Sequence, residues 1–254
     1  MSGLEALAIL LAGVGAGTIN AVVGSGTLIT FPTLLFFGIP PLAANVSNTI
    51  GLATGGITSI HGYRRELAGQ GAAVRRLAPA SLLGALAGGL LLLVLPASAF
   101  ETIVPVLIAL SLVLVLAGPT LQRRAAARHT ESAGRPHRAL MLTGVFGTGI
   151  YGGYFGAAQG VLLIGLLGAL STEPLQRINA LKNVLANVVN LVAALLFLAV
   201  ARQQVRWEVV ALVAVGALIG GYVGARFGRR LSPAALRGLI LLIGLVAIGK
   251  FVFT

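Results

Sequence analysis

The chain contains no cysteine and no aspartate, and its acidic residues are 6 glutamates among 254 residues. The absence of cysteine excludes disulfides, thiolate metal sites and thiol catalysis. Charged residues make up 9% of the chain and hydrophobic residues 57%, whereas a soluble domain carries roughly 25% charged residues. So few charges cannot cover the surface of a soluble fold. The composition therefore predicts a multi-pass protein of the cell inner (plasma) membrane.

The hydrophobic residues occur in long continuous runs. Leu82–Leu95 is apolar throughout, whereas the strands of a membrane barrel would alternate apolar and polar residues. A helix satisfies its own backbone in lipid and needs about 20 apolar residues to cross it. The sequence thus predicts an all-α, polytopic transmembrane helical bundle of about 8–10 membrane segments. The predicted segments are 4–23, 26–37, 42–61, 77–95, 100–118, 139–156, 159–170, 178–200, 207–225 and 232–253.

The net charge of +12 comes from arginines clustered between apolar runs. Such clusters are typical of cytoplasmic loops, so we interpret them as topology signals and not as a nucleic-acid surface. Both termini then lie outside, and Arg202 and Arg206 fall on the outer side against the rule. The three predicted cytoplasmic clusters are Arg64, Arg65, Arg75 and Arg76; Arg123, Arg124, Arg128, Arg135 and Arg138; and Arg226, Arg229 and Arg230.

The two halves of the chain repeat one order of features. In each, a glycine-rich break precedes a short apolar segment, 26–37 or 159–170, and a polar-studded helix follows. An odd number of passes per half, whether the short segments span or re-enter, would invert the second copy, as in many secondary transporters. We therefore predict a first transmembrane repeat over 1–118, a cytoplasmic basic linker over 119–138 and a second repeat over 139–254. The matching positions are Gly15, Gly17 and Gly24 with Gly147, Gly149 and Gly156, and Asn45–Thr49 with Asn179–Asn183.

The polar residues near the breaks predict a midplane site for an anion. A broken helix exposes backbone N–H groups at the start of its second piece, where the helix dipole favours negative charge. Asn179, Asn183, Asn187 and Asn190 share one helical face by their spacing, and Lys182 could supply a positive charge. The predicted substrate-binding residues are Asn20, Ser25, Gly26, Thr27, Asn45, Asn48, Gln159, Gly160, Lys182, Asn183 and Asn187.

Other polar and aromatic residues have simpler interpretations. Hydroxyl side chains in membrane helices often bond to their own helix carbonyls, and aromatic side chains often anchor at the interface. The first role is predicted for Thr30, Thr54, Thr58 and Ser59, and the second for Tyr63, Phe100 and Trp207. No glutamate lies in the middle of a segment, and metalloprotease, nucleotide-binding and nucleophile–base motifs are missing. The sequence predicts neither an enzyme nor a metal or cofactor site.

Several runs resemble the sulfite exporter TauE/SafE family. They are Gly17–Pro32 (GTINAVVGSGTLITFP), Gly38–Pro40, Ala43–Thr49, Gly149–Gly160 and Asn179–Asn190. The resemblance covers nearly the whole chain, although the second glycine run has Ala157-Ala158-Gln159 in place of Ser25-Gly26 and lacks a match for Pro32.

The resemblance implies a transporter of small sulfur-containing anions, such as sulfite or organosulfonates, usually assigned to export. Alternating access would rock one repeat against the other. The expected partners are a small anionic substrate and the lipid bilayer, without nucleic acid, and a homo-oligomer is left open. Two alternatives also stay open: a carrier of another small anion or a neutral sulfur compound, and a channel-like or assembly membrane protein.

Overall fold

The structure of the protein is a computed structural model that describes residues 1–127, 138–228 and 233–253. Within these ranges the regular structure is entirely helical. The elements are α1 (Gly3–Val22), α2 (Thr27–Phe36), α3 (Pro41–Gly62), α4 (Arg64–Leu67), α5 (Gly71–Val94), α6 (Ala97–Ala127), α7 (Arg138–Tyr154), α8 (Gln159–Leu170), α9 (Leu175–Val200), a 3₁₀ turn (Arg202–Gln204), α10 (Trp207–Phe227) and α11 (Pro233–Phe253).

The helices confirm the prediction of an all-α, multi-pass membrane bundle. Five of the described helices are long and apolar enough to cross a bilayer, and α2 and α8 are shorter apolar helices. Large apolar side chains such as Leu83, Val106 and Leu116 point outward and are more than half exposed. An apolar exterior of this kind suits contact with lipid. The five candidate spans are Gly3–Val22, Gly71–Val94, Ala97–Leu121, Leu175–Val200 and Trp207–Phe227.

The prediction of a loop at Arg75 and Arg76 was wrong, whereas the division into two repeats and a linker stays a prediction. Arg75 and Arg76 belong to the first turns of α5 and not to a loop, because α5 begins at Gly71. The first part of the predicted linker continues α6 to Ala127. Long basic side chains at helix ends can reach the interface while the helix itself continues. The rest of the linker, residues 128–137, and Arg229 and Arg230 lie outside the described residues.

The two short helices each fold back toward the start of the helix before them. The end of α2 shares a cleft with Glu5 of α1 and Arg206. The end of α8 shares another cleft with Arg138 of α7 and Gln70. We call α1–α2 the first hairpin and α7–α8 the second. Helix α3, about 33 Å long at 1.5 Å per residue, starts beside the first cleft and ends near the second, so the hairpins open at opposite ends of the bundle.

The helices of the two halves pack crosswise. Helix α10 lies on α1 and α3, α5 lies on α7 and α9, α6 contacts α8, and α11 contacts α2. Glycines permit this close packing, because a Cβ on Gly17 would lie 2.5 Å from the Ala217 oxygen and one on Gly88 would lie 2.0 Å from the Ile150 oxygen. Small residues at the interfaces of membrane helices allow such an approach.

Two of the three predicted interface aromatics are buried in this core. Tyr63 and Phe100 are almost fully enclosed, whereas Trp207 is 53% exposed. Phe100 packs edge-on against Phe31 and Phe155. The interface prediction was therefore wrong for Tyr63 and Phe100. Tyr63 and Phe100 pack between helices that are distant in the sequence. Phe155, which contacts Phe100, lies next to the second break.

Candidate functional site

The first helix break, between α1 and α2, is stabilised by a side chain of α1. Gly24 has φ +88°, a backbone conformation that suits glycine because other residues are strained there. The Gly24 N–H donates to the Ile19 oxygen. The Asn20 Oδ1 accepts a hydrogen bond of 2.7 Å from the Gly26 N–H. Asn20 thus bridges the break and caps the start of α2.

The second break, between α7 and α8, has the same form but different supports. The Gly156 N–H donates to the Tyr151 oxygen, and Gly156 and Ala158 both have positive φ. Ala158 is strained because a left-handed non-glycine residue costs about 1–2 kcal/mol. The hydroxyls of Ser111 and Tyr151 lie 2.7 Å apart, and both bond to the Ala157 oxygen. Helix α6 therefore supports this break directly.

The two breaks contact each other at a pair of glycines. The Gly160 N–H donates to the Gly24 oxygen at 3.0 Å. A Cβ placed on either residue would lie 2.4 Å from the Cα of the other, so a side chain there would force the two backbones apart. The two breaks therefore meet at one point in the bundle.

Amides from α3 and α9 cap the broken ends of α7 and α1. The Asn45 Nδ2 donates to the Tyr154 oxygen at 3.0 Å. In the other half, the Nδ2 atoms of Asn179 and Asn183 donate to the Ala21 oxygen at 3.1 and 3.3 Å. The last carbonyls of a helix lack intrahelical donors. Each half therefore satisfies the helix end of the other.

Lys182 lies behind this contact and not in the cavity wall. Its side chain is 0% exposed, and its Nζ donates to the Asn20 oxygen at 2.8 Å and the Ala21 oxygen at 3.4 Å. Its Cδ lies close enough to Gly160 that a Cβ there would be 2.9 Å away. That Lys182 balances the charge of the substrate stays a prediction. In this geometry the lysine would act across Gly160, which lines the cavity, and not by direct contact with the substrate.

A small polar cavity lies where the breaks meet, with a volume of about 30 Å³. That is room for one or two water molecules and too little for a sulfonate. Six predicted residues line it: Asn20, Thr27, Gln159, Gly160, Asn183 and Asn187. Five others, Ser25, Gly26, Asn45, Asn48 and Lys182, lie outside the lining. The lining adds Gly24, Leu52, Gly56, Ser59, Gly156, Ala186 and Asn190, and none of the described residues in it is charged.

The additional residues follow from signals that the sequence does contain. Asn190 extends the amide face of α9, and the glycines belong to the breaks. Leu52, Gly56 and Ser59 continue the face of α3 that carries Asn45 and Asn48, since residues three and four apart lie on one side of a helix. Extending that face along α3 would have found them.

Several buried polar atoms around the cavity have no hydrogen-bond partner among the described residues. The Gln159 Nε2 and the Asn187 Oδ1 belong to lining residues, whereas the Asn48 Oδ1 and the Ser25 Oγ lie outside the lining. An unmet buried donor or acceptor costs about 1–3 kcal/mol. The amide nitrogen and oxygen of such groups are assigned from the hydrogen-bond network, so either end could face a ligand. The cavity therefore offers groups that a bound water or ligand would satisfy.

The hydroxyl predictions were mostly confirmed. Thr54 and Thr58 bond to carbonyls of their own helix and also to carbonyls of α10, and Ser59 bonds to the Gly55 oxygen. Thr30 was the exception, because its Oγ1 is buried without a partner in the described part of the chain. Thr54 and Thr58 thus join α3 to α10, whereas Ser59 bonds within α3 and lines the cavity.

Comparison of the chain with known proteins identifies a matching family and several relatives. The model of the family described as Sulfite exporter TauE/SafE matches residues 9–251. The chain is similar to a "Probable membrane transporter protein" of Haemophilus influenzae, with 25% identity over 99% of this chain and 96% of the relative. It is also similar to the "Probable membrane transporter protein YfcA" of Escherichia coli K12, with 26% identity over 94% of this chain and 86% of the relative. No solved structure matches the chain significantly.

Proposed function

The chain belongs to the sulfite exporter TauE/SafE family, and from that premise we propose that it carries small sulfur-containing anions, such as sulfite or organosulfonates, out of the cell. The family and the relatives make it a multi-pass membrane transporter. The substrate class, the export direction and the transport cycle are the proposal.

The observation that carries the proposal is the small polar cavity at the contact of the two helix breaks. Among the described residues, its lining consists of amides, two hydroxyls, glycine backbone and two apolar side chains, and contains no carboxylate. The starts of α2 and α8 lie at its wall, through Thr27 and Gln159, and helix starts favour negative charge. A lysine lies directly behind the wall. Such a site of amides and helix starts, with no carboxylate among its described residues, suits an oxyanion better than a cation.

The arrangement of the hairpins supports alternating access. The hairpins open at opposite ends of the bundle, where clefts of about 660 Å³ and 220 Å³ lie. The central cavity is smaller than any proposed substrate. We therefore propose that the halves are inverted repeats and that rocking of one against the other connects the cavity to one cleft at a time.

Counterflow in proteoliposomes tests this function. Purified protein would be reconstituted, loaded with unlabelled sulfite and exposed to trace [³⁵S]sulfite, with protein-free liposomes as the control. We expect saturable counterflow that sulfur oxyanions inhibit and that carboxylates and neutral analogues do not. Non-saturable flux would indicate a channel, and inhibition by carboxylates alone another anion carrier. A folded protein without flux of any tested solute would contradict the carrier proposal.

A thermal-shift panel gives an independent measure of substrate binding. A ligand that binds only the folded state raises the apparent melting temperature by mass action. We expect detergent-solubilised protein to be stabilised selectively by sulfite, thiosulfate or sulfonates. Equal stabilisation by all anions at equal ionic strength would contradict a specific sulfur-anion site.

A further inference from the structure

We propose that the Lys182 ammonium is a built-in cation that occupies the position of a coupling ion, so that the carrier moves its anion without Na⁺ or K⁺. This inference rests on the proposed anion transport and names how that site balances charge. The relevant feature is the broken end of α1, where the Lys182 Nζ contacts backbone oxygens.

Lys182 contacts backbone oxygens at a helix end, which is the kind of ligand that a bound Na⁺ takes in transporters with broken helices. The Nζ lies 2.8 Å from the Asn20 oxygen and 3.4 Å from the Ala21 oxygen, both at the end of α1. In transporters with broken helices, the carbonyls of half-helix ends coordinate Na⁺. Here the ammonium of α9 already contacts those carbonyls, and its side chain is fully enclosed.

Capping alone does not explain a charged residue at this position. The amides of Asn179 and Asn183 already donate to the Ala21 oxygen, and a further neutral donor could serve Asn20. The matching residue of the first half, Asn48, is an amide, and its Nδ2 reaches the Thr27 Oγ1 at 3.5 Å. A charged side chain inside the membrane is costly and is typical of functional sites.

The charge of Lys182 has no carboxylate to balance it in the described residues. Its hydrogen-bond partners are backbone oxygens, and no carboxylate lines the adjacent cavity. The dipole of α1 offers about half a negative charge at its C-terminal end. An anion in the cavity would supply at least one negative charge across Gly160, against which the lysine stem packs, and the positive starts of α2 and α8 at the cavity wall would offset the excess. The loaded site would then be near neutral without a second ion.

The first experiment uses the wild-type protein and needs no substitution. Initial rates of [³⁵S]sulfite uptake would be measured in Na⁺, K⁺ and choline media of equal ionic strength. We expect the three rates to agree within about twofold. A tenfold or greater loss of transport in choline would overturn the proposal, because a co-transported metal cation would then be required.

The second experiment removes the ammonium and offers a free cation in its place. In Lys182→Ala, the space and the two backbone oxygens remain, whereas Lys182→Met fills the space with an uncharged chain of similar length. We expect ammonium chloride to raise the melting temperature of Lys182→Ala by roughly 3 °C or more over choline chloride, as expected for about 1 kcal/mol of binding. Lys182→Met and the wild type should not respond.

These measurements separate this inference from the proposed function. The melting experiment contains no sulfur anion, so a selective response of Lys182→Ala supports the built-in cation even if sulfite is not transported. If Lys182→Ala folds and neither ammonium nor Na⁺ raises its melting temperature, the inference is overturned. The proposal of anion transport would not be affected by that result. If Lys182→Ala does not fold, the cation dependence of wild-type uptake decides the question.

Discussion

At the contact between the helix breaks, Gly160 has no room for a Cβ. A methyl group there would lie 2.4 Å from the Gly24 Cα and 2.9 Å from the Lys182 Cδ. Overpacking of this kind costs about 1–3 kcal/mol. We therefore expect Gly160→Ala to lower the melting temperature by several degrees and to reduce sulfite counterflow at least tenfold, measured on purified protein and in proteoliposomes.

Gly147→Ala is the matched control for that substitution. Gly147 lies within α7, and a Cβ there meets no atom within 4 Å. Alanine is favoured over glycine in a helix by up to about 1 kcal/mol, so we expect unchanged or slightly higher stability and full transport. Equal losses in the two variants would show that the glycine contact has no special role.

Asn20 offers a test of the sign of the substrate charge. Its Oδ1 caps the Gly26 N–H, and the residue lines the cavity. Asn20→Asp keeps an acceptor at the cap but brings a negative charge to the cavity and to Lys182. We expect the variant to fold. Its apparent affinity for sulfite, measured from the thermal shift, should fall at least tenfold. Tighter binding of sulfite by Asn20→Asp would contradict an anion site.

At the scale of elements, the two helix ends capped by amides differ in how many donors they have. The Tyr154 oxygen accepts from Asn45, whereas the Ala21 oxygen accepts from Asn179, Asn183 and Lys182. Loss of a single donor to a buried acceptor costs about 1–3 kcal/mol. We expect Asn45→Ala to lower the melting temperature of the purified protein by several degrees.

Asn179→Ala is the matched comparison and should have the smaller effect, because two donors to the Ala21 oxygen remain. We expect a shift less than half that of Asn45→Ala. A larger loss in Asn179→Ala would mean that the reciprocal caps do not account for the stability of the broken ends.

The helix breaks and the polar faces of α3 and α9 could be predicted from sequence because each signal is local. Glycine runs interrupt helices, and the three-to-four spacing of the amides defines a face whatever it packs against. The positions of Tyr63 and Phe100 could not be predicted in this way. Their burial depends on which distant helices lie over them, and an aromatic residue near a segment end suits an interface equally well.

At the scale of the whole molecule, the crosswise packing decides which predicted residues reach the cavity. Lys182 and Asn183 are neighbours on α9, yet only Asn183 lines the cavity, because the end of α1 covers the lysine. The crosswise packing also places Asn45 of α3 against the end of α7, where it donates to the Tyr154 oxygen. The order of the helices can be predicted from the sequence. The packing of α5 on helices of the second half, and of α10 on helices of the first, depends on long-range contacts that no local pattern records.

The proposed alternation between two clefts can be measured because the chain has no cysteine. Ala72 lines the cleft at the basic end, and Ile39 lines the cleft at the other end. Single cysteines at these positions would be labelled with a membrane-impermeant maleimide in right-side-out and inverted vesicles. The positive-inside rule predicts labelling of Ala72→Cys from the cytoplasmic side and of Ile39→Cys from the outside.

Substrate then distinguishes a carrier cycle from a static pair of clefts. If the halves rock about the Gly24–Gly160 contact, opening of one cleft requires closing of the other. Saturating sulfite should therefore change the two labelling rates in opposite directions, by at least twofold. Leu83→Cys, in an outward apolar position, is the control and should resist the reagent in intact membranes. Labelling rates that rise or fall together would contradict alternating access and favour a channel-like pathway.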